Sequence, residues 1–287
     1  MDKIYYGIAG YHRPECKTYH TLVKLGIPKE QIVISLNDEE DYKTYKELYG
    51  KEVKVIYKKG NNVACNRNNI LNYFPLDSYV MVLDDDIASF KTWKQEGNSK
   101  YGKLVNLTRN ELEEKLLDAF KQTESARSNM FGTYAIANPM MIKSTIETQG
   151  VYSINKMFQG GSCGFIVDDH HRYNEDMLLL DDYEIVLRNI KEGNIILRRN
   201  DIVAVTPKMG STKGGYFDIY KLGKQKEYIL KLKAMYPDMI TVKKDYSGVI
   251  LKKGLWYGEV RHWNELRKSS LDRRNSRLFF TTYFRYL

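Results

Sequence analysis

The chain has 287 residues, 43% hydrophobic and 28% charged, a globular balance that argues against a mostly disordered polypeptide. No run approaches the ~18 apolar residues of a membrane-crossing helix. The Met1–Tyr6 start lacks the basic-then-apolar pattern of a secretory signal, and three cysteines without a CxxC pair argue against a disulfide framework or a structural zinc site. A cytoplasmic location is therefore expected. The net charge of +9 is localised: residues 201–287 carry 18 basic and 8 acidic residues, and residues 1–200 carry 27 and 28. A neutral body with a basic C-terminal third suits a polyanionic partner, most simply nucleic acid; the plainer reading is a solubilising surface.

Lys3–Ala9 predicts a short strand. Pro14 opens a helical stretch that Gly26 closes, with proline in the first turn and glycine at the end. Gln31–Ser35 is a second apolar strand, and Asn37-Asp38 caps a helix over Glu39–Tyr49 that ends at Gly50. Val53–Tyr57 is a third strand, Ala64–Tyr73 a helix, and Ser78–Leu83 a fourth strand leading to Asp84. Strand–helix alternation of this kind implies βαβ units on a parallel sheet. Further on, Leu112, Leu116, Leu117 and Phe120 share one face of a helix over Arg109–Glu124. Gly132–Ala137, Gly164–Val167, Ile195–Arg198 and Ile202–Val205 read as strands, Asp181–Gly193 as a helix and Phe217–Met235 as a basic helix. No internal repeat or low-complexity linker divides the chain.

The sharpest feature is Asp84-Asp85-Asp86, three carboxylates directly after a buried strand. Burying them without compensation would cost several kcal/mol each. In an open parallel sheet, ligands bind beyond the carboxyl ends of the strands, and oxygen donors there suit Mg²⁺ or Mn²⁺. Alone, the triplet reads equally well as a helix N-cap with acidic neighbours. Upstream stands Lys59-Gly60-Asn61-Asn62-Val63-Ala64-Cys65-Asn66-Arg67-Asn68; downstream stands Asp181-Asp182-Tyr183-Glu184, then Leu187-Arg188 and Gly193.

This ordered set resembles nucleotide-sugar glycosyltransferases of the GT-A fold over about residues 3–200. In that family a Gly…Ala-Arg-Asn-like segment precedes the strand bearing a DxD motif, and an acidic pair later opens a helix ending in Arg and Gly. The chain departs from the pattern at Asn66-Arg67-Asn68 and at an Asp-Asp late pair. More narrowly, with its basic C-terminal part it resembles the TET/JBP-associated glycosyltransferases. These are phage and protist enzymes related to the base J glucosyltransferase, and they attach a sugar to a hydroxymethylated pyrimidine in DNA. The Gln159–Ser162 and Ser211–Gly215 segments add to that resemblance. The resemblance implies an α/β GT-A fold with a mixed, mostly parallel sheet over residues 1–215. Residues 216–287 are expected to form a basic helical and aromatic extension packed on it, a candidate DNA-binding part.

It also implies roles. Asp84 and Asp86 are expected to hold Mn²⁺ or Mg²⁺ on the diphosphate of a UDP-sugar, where charge develops as the glycosidic bond breaks; Asp86 is the more direct ligand. Asp84 has ribose or a water as its alternative partner, and Asp85 joins the donor site. Ala9, Gly10, Tyr11 and Arg13 follow strand one, where the nucleotide sits: Gly10 permits close backbone approach, Tyr11 suits stacking on uracil and Arg13 suits phosphate. The plainer reading is a turn into a helix capped at His12 or Arg13. Arg67 contacts the nucleotide or is a helix-surface arginine. Asp182 is the candidate general base, with Asp181 the alternative and Glu175-Asp176 a poorer one; the plainer reading is a helix cap. A retaining mechanism would not need this base. Gly160-Gly161 lets a loop approach the acceptor, or is a plain turn. Lys213 stands where a diphosphate needs neutralising, because the late metal-binding His of many relatives is not evident. His170-His171 reads as a surface loop and Cys163 as a buried thiol. Arg267, Lys268, Arg273, Arg274 and Arg277 are candidate DNA phosphate contacts, while Trp263 and the late aromatics read mainly as core. A base in duplex DNA would have to be flipped out to reach the site. The rival readings are a GT-A enzyme acting on a polysaccharide, lipid-linked sugar or protein, a metal-dependent phosphoryl-transfer enzyme or nuclease, and a non-catalytic DNA-binding module.

Overall fold

A computed structural model describes residues 3–97, 101–134, 138–158, 161–207, 223–246 and 248–252. The first third alternates as the sequence predicts: β1 (Ile4–Ala9), α1 (Lys17–Lys24), β2 (Ile32–Leu36), α2 (Glu39–Tyr49), β3 (Lys54–Tyr57), α3 (Val63–Tyr73) and β4 (Tyr79–Asp84). These strands pair in parallel in the order β3-β2-β1-β4, so each successive unit crosses over through a helix. β2 is buried along its whole length, which is why it reads as an unbroken apolar run. The caps follow their residue types: the Asp38 carboxylate accepts from the Glu40 and Asp41 amides, and Asn62 Oδ1 accepts from the Cys65 amide.

The second part adds β5 (Ser89–Lys94), β6 (Lys103–Asn106), α4 (Arg109–Ser125), β7 (Met130–Tyr134), α5 (Pro139–Gln149), β8 (Tyr152–Ile154), β9 (Ser162–Ile166), α6 (Asp181–Lys191) and β10 (Leu197–Val205). β9 is inserted antiparallel between β4 and β7, β7 runs parallel to β10, and β5 and β6 close the far edge. The result is a mixed α/β sheet of the GT-A kind. β10 is one strand, not the two expected. Its register shifts between Arg199 and Val203, and the polar run Arg199-Asn200-Asp201 is buried there. Arg199 Nε donates to Asp201 at 2.6 Å, and its Nη1 donates to Asp118 and to the Tyr152 hydroxyl. A buried ionic network thus interrupts the apolar pattern without ending the strand.

Two cores cover the two faces. Tyr6, Ile8, Met81 and Leu83 point toward α1, α2 and α4; Val80, Val82, Cys163 and Phe165 point toward α3 and α6. At Gly132 a Cβ would lie 2.2 Å from the Phe158 ring, so only glycine lets that ring seat on the sheet. α7 (Gln225–Met235) and the hairpin of β11 (Ile240–Val242) and β12 (Val249–Leu251) join the second core through Leu232, Tyr236, Met239 and Ile240. Tyr236 Oη donates to Glu184 of α6 at 2.8 Å. No described helix is long and apolar enough to cross a membrane.

Candidate active site

The carboxyl ends of β1 and β4 lie side by side, with Ala9 opposite Asp84, and the start of β9 closes the other flank. Of the three aspartates, Asp84 meets Arg67, while Asp85 and Asp86 share Arg13. Asp84 keeps its side chain a third exposed: its amide donates to the Gly161 carbonyl at 3.0 Å, and Oδ1 accepts from Arg67 Nη2 at 2.7 Å. A Cβ on Gly161 would come within 3.1 Å of Asp84 Oδ2, so the glycine leaves room beside that oxygen. Asp85 turns inward and is 2% exposed. It accepts from the Tyr11 amide at 3.0 Å and from Arg13 Nη1 at 2.7 Å. Asp86 is partly exposed and also accepts from Arg13 Nη1, at 2.7 Å. The chain then enters β5, not a helix, so the helix-cap reading of the triplet fails.

Burial pushes the Asp85 carboxyl up to about 7, opposed by the Arg13 charge and the Tyr11 amide. Burial also raises Asp86, and the Asp84 charge adds to it, with Arg13 opposing. Because Asp85 holds its proton more tightly when folded, its contribution to stability is full below the ordinary carboxylate range. It is lost as pH rises through about 7. Asp85→Asn is therefore expected to flatten the fall in urea midpoint between about pH 5 and 8 relative to wild type; parallel profiles would contradict this.

Helix α3 organises the rest of the site through three consecutive residues. Asn66 Nδ2 donates to the Gly10 carbonyl at 2.8 Å and holds the turn after β1. Arg67 is 4% exposed and bridges two carboxylates: Nη1 donates to Asp181 at 2.6 Å, Nη2 to Asp84. It lies 5.2 Å from the centroid of the Tyr173 ring. Asn68 pins the loop before α6, donating to the Tyr173 carbonyl at 2.9 Å and accepting from its amide at 2.7 Å. Leu180, at φ 65°, enters α6 in the left-handed region, a strain of about 1–3 kcal/mol that cores retain when neighbours over-determine it. Asp181 follows buried, its carboxyl raised by burial and lowered by Arg67. Asp182 follows half-buried in the first helical turn.

The structure thus brings Asp84, Asp86, Arg13, Arg67, Asp181 and Gly161 to one sheet edge, with Asp182 next in the α6 turn. Ala9 is buried in the strand, and a Cβ at Gly10 would lie 2.8 Å from Leu36 Cδ1, so that glycine serves packing as well as close approach. Tyr11 is half-buried, its ring centroid 4.1 Å from that of His12. The first helix is capped at Cys16, not at His12 or Arg13. Arg67 is not on a helix surface. Glu175 accepts from Asn68 at 2.9 Å, so that carboxylate braces the loop. His171 pairs with Asp168, and Cys163 is buried with its thiol pushed up to about 12 by burial. Gly160, Lys213, Arg267, Lys268, Arg273, Arg274 and Arg277 lie outside the described residues. Nothing in the sequence assigns Asn66 and Asn68 roles of their own; their signal is the run of three hydrogen-bonding side chains in one helical turn, all of them buried.

The donor set fits a divalent cation that takes few protein ligands. Asp84 and Asp86 offer hard oxygens from partly exposed side chains, and Mg²⁺-like ions complete their shell with water and phosphate oxygens. Among the described residues no cluster of three His, Cys, Asp or Glu stands ready to hold a metal by itself. No curated protein matches the chain. A model of one protein family, described as TET-Associated Glycosyltransferase, matches residues 13–215, a span that contains the Asp triplet, Arg67 and the Asp181-Asp182 pair.

Proposed function

The chain belongs to the TET-associated glycosyltransferase family and is a glycosyltransferase acting on modified bases in DNA; we propose that it moves a hexose from a UDP-sugar to the hydroxymethyl group of 5-hydroxymethylcytosine or 5-hydroxymethyluracil, using Mn²⁺ or Mg²⁺. The observation that carries this reading is the Arg67 bridge, which joins the end of β4 to the start of α6 and so sets a donor-side carboxylate beside the acidic pair.

Asp84 and Asp86 are the residues that would hold the cation. When bound, it supplies positive charge to the diphosphate as that group leaves. Arg13 stands against Asp86 and is placed to meet a phosphate oxygen. Tyr11 and Gly10 lie at the end of β1, on the nucleotide side. Asp182 accepts the hydroxymethyl proton while that oxygen attacks C1 of the sugar; the C1–O bond to the diphosphate breaks and UDP departs with the electron pair. Asp181 is a weaker base candidate because its carboxylate is buried against Arg67. Arg67 acts as a positioning residue for both carboxylates.

The donor half is tested by UDP release from a panel of UDP-sugars with Mn²⁺, with chelator, and with Asp86→Ala. Release that chelator and the substitution both abolish supports the reading. Equal release in all three would overturn the metal role, and none from any donor would overturn the UDP-sugar.

A further inference from the structure

The lysines of α7 and its hairpin divide into two sets. Residues 223–252 carry seven lysines against Glu227, Asp238 and Asp245. Three of the seven are engaged with main-chain carbonyls. Lys231 Nζ donates to Asp176 at 2.7 Å, Lys233 Nζ to Pro237 at 2.6 Å and to Ile240 at 2.7 Å, and Lys252 Nζ to Pro237 at 3.0 Å. The other four, Lys224, Lys226, Lys243 and Lys244, are exposed, and among the described residues no carboxylate pairs with any of them. They gather at the start of α7 and at the tip of the β11–β12 hairpin. Lys226 Nζ lies 4.4 Å from the centroid of the Tyr246 ring, a contact that joins the two elements.

Tyr246 holds a strained backbone there. It is exposed, at φ 55°, and its amide donates to the Lys243 carbonyl at 2.9 Å. A bulky residue in the left-handed region carries about 1–3 kcal/mol of strain that glycine would avoid. The place of this end of α7 follows from its contacts. Tyr236, at the far end of the helix, bonds Glu184 of α6, and Lys231 reaches Asp176 in the loop that leads to Asp181 and Asp182. That loop stands at the carboxyl end of the sheet, where Asn62, the cap of α3, donates to the Glu175 carbonyl at 2.6 Å. α7 therefore climbs past the loop, and at 1.5 Å per residue Lys226 and Lys224 stand about 7–10 Å beyond Lys231 along its axis.

We propose that Lys224, Lys226, Lys243 and Lys244, with Tyr246 among them, form a docking ridge for the phosphate backbone of the acceptor DNA, beside the acidic pair that meets the modified nucleotide. Four exposed cations without carboxylate partners are complementary to a run of phosphates, and a tyrosine hydroxyl is a donor that phosphate oxygens accept from. Lys226 over the Tyr246 ring ties the helix to the hairpin, so the ridge is set before DNA arrives. The proposal rests on the DNA acceptor proposed above.

The test measures binding of a hydroxymethylated DNA duplex across a salt series, with the KM for UDP-sugar in parallel. The variants are the pair Lys224→Gln with Lys226→Gln, the pair Lys243→Gln with Lys244→Gln, and Tyr246→Gly, which keeps the turn. The control pair is Lys51→Gln with Lys54→Gln, exposed lysines at the opposite end of the sheet. Each ridge pair is expected to weaken DNA binding and make the slope of log K against log salt shallower by about 2, one per lost phosphate contact. Tyr246→Gly should also weaken DNA binding, while the control pair keeps the wild-type slope and the KM for UDP-sugar stays unchanged throughout. Wild-type slopes in both ridge pairs would overturn the ridge and leave the DNA acceptor standing. An equal change in the control pair would assign the effect to net charge and overturn the ridge too. Absence of DNA binding by wild type would overturn the acceptor reading, and the ridge with it.

Discussion

Replacing Arg67 with Met is expected to cost about 3–5 kcal/mol of folding stability, the usual consequence of removing one partner of a buried ion pair. Arg67 is almost fully buried and both of its Nη groups are committed, to Asp84 and to Asp181. Without the guanidinium, Asp181 keeps its buried position and loses the charge that opposes its upward shift. The loss should therefore be smaller at low pH, where Asp181 is protonated in both states, and should grow as pH rises. Adding Asp84→Asn and Asp181→Asn to Arg67→Met is expected to restore much of the stability while leaving transfer abolished. Urea unfolding at several pH values reads all of this. A single substitution costing under about 1 kcal/mol, as exposed ion pairs do, would contradict the bridge.

The second large effect falls on chemistry alone. Asp182→Asn is expected to lower the rate of sugar transfer by about 10²–10⁴-fold, the range of general-base catalysis, with the fold and UDP-sugar affinity retained. Asp182 sits in the first turn of α6, where the helix dipole favours a carboxylate, and it is half-buried where Asp181 is closed off. Asp181→Asn should behave differently: it strips a partner from Arg67, so its loss should appear in stability as well as in rate. Rates and unfolding midpoints of the two variants separate the roles. Equal and small rate effects would remove Asp182 as the base.

The two halves of the fold differ in how plainly their residues announce them. In β1 to β4 every signal is local. The apolar runs of β1, β2 and β4 are buried on both faces, Asp38 and Asn62 cap the helices they precede, and the Glu39–Tyr49 helix appears with the boundaries expected. Beyond β4 the decisive contacts are distant in sequence. β9 returns to pair between β4 and β7, an insertion no local pattern encodes. The sequence of β10 suggests two strands because Arg199, Asn200 and Asp201 look like a loop until their partners are known. β5 mixes Phe90 and Trp93 with Lys91 and Lys94, and β6 is a four-residue edge strand with a polar residue at each end, so neither carries a clean strand pattern.

The site divides the same way. Charge after a buried strand made the Asp triplet visible, and an acidic pair opening a helix made Asp181 and Asp182 visible. The inward turn of Asp85 depends on the geometry of one turn, and the bridging role of Arg67 depends on a carboxylate far along the chain.

The most direct test of the central claim is the mass of nucleosides digested from DNA containing 5-hydroxymethylcytosine or 5-hydroxymethyluracil after incubation with the protein, UDP-sugars and Mn²⁺. The account predicts a hexose-sized gain on the hydroxymethylated nucleoside that Asp86→Ala abolishes. UDP release with every nucleoside left at its original mass would contradict it.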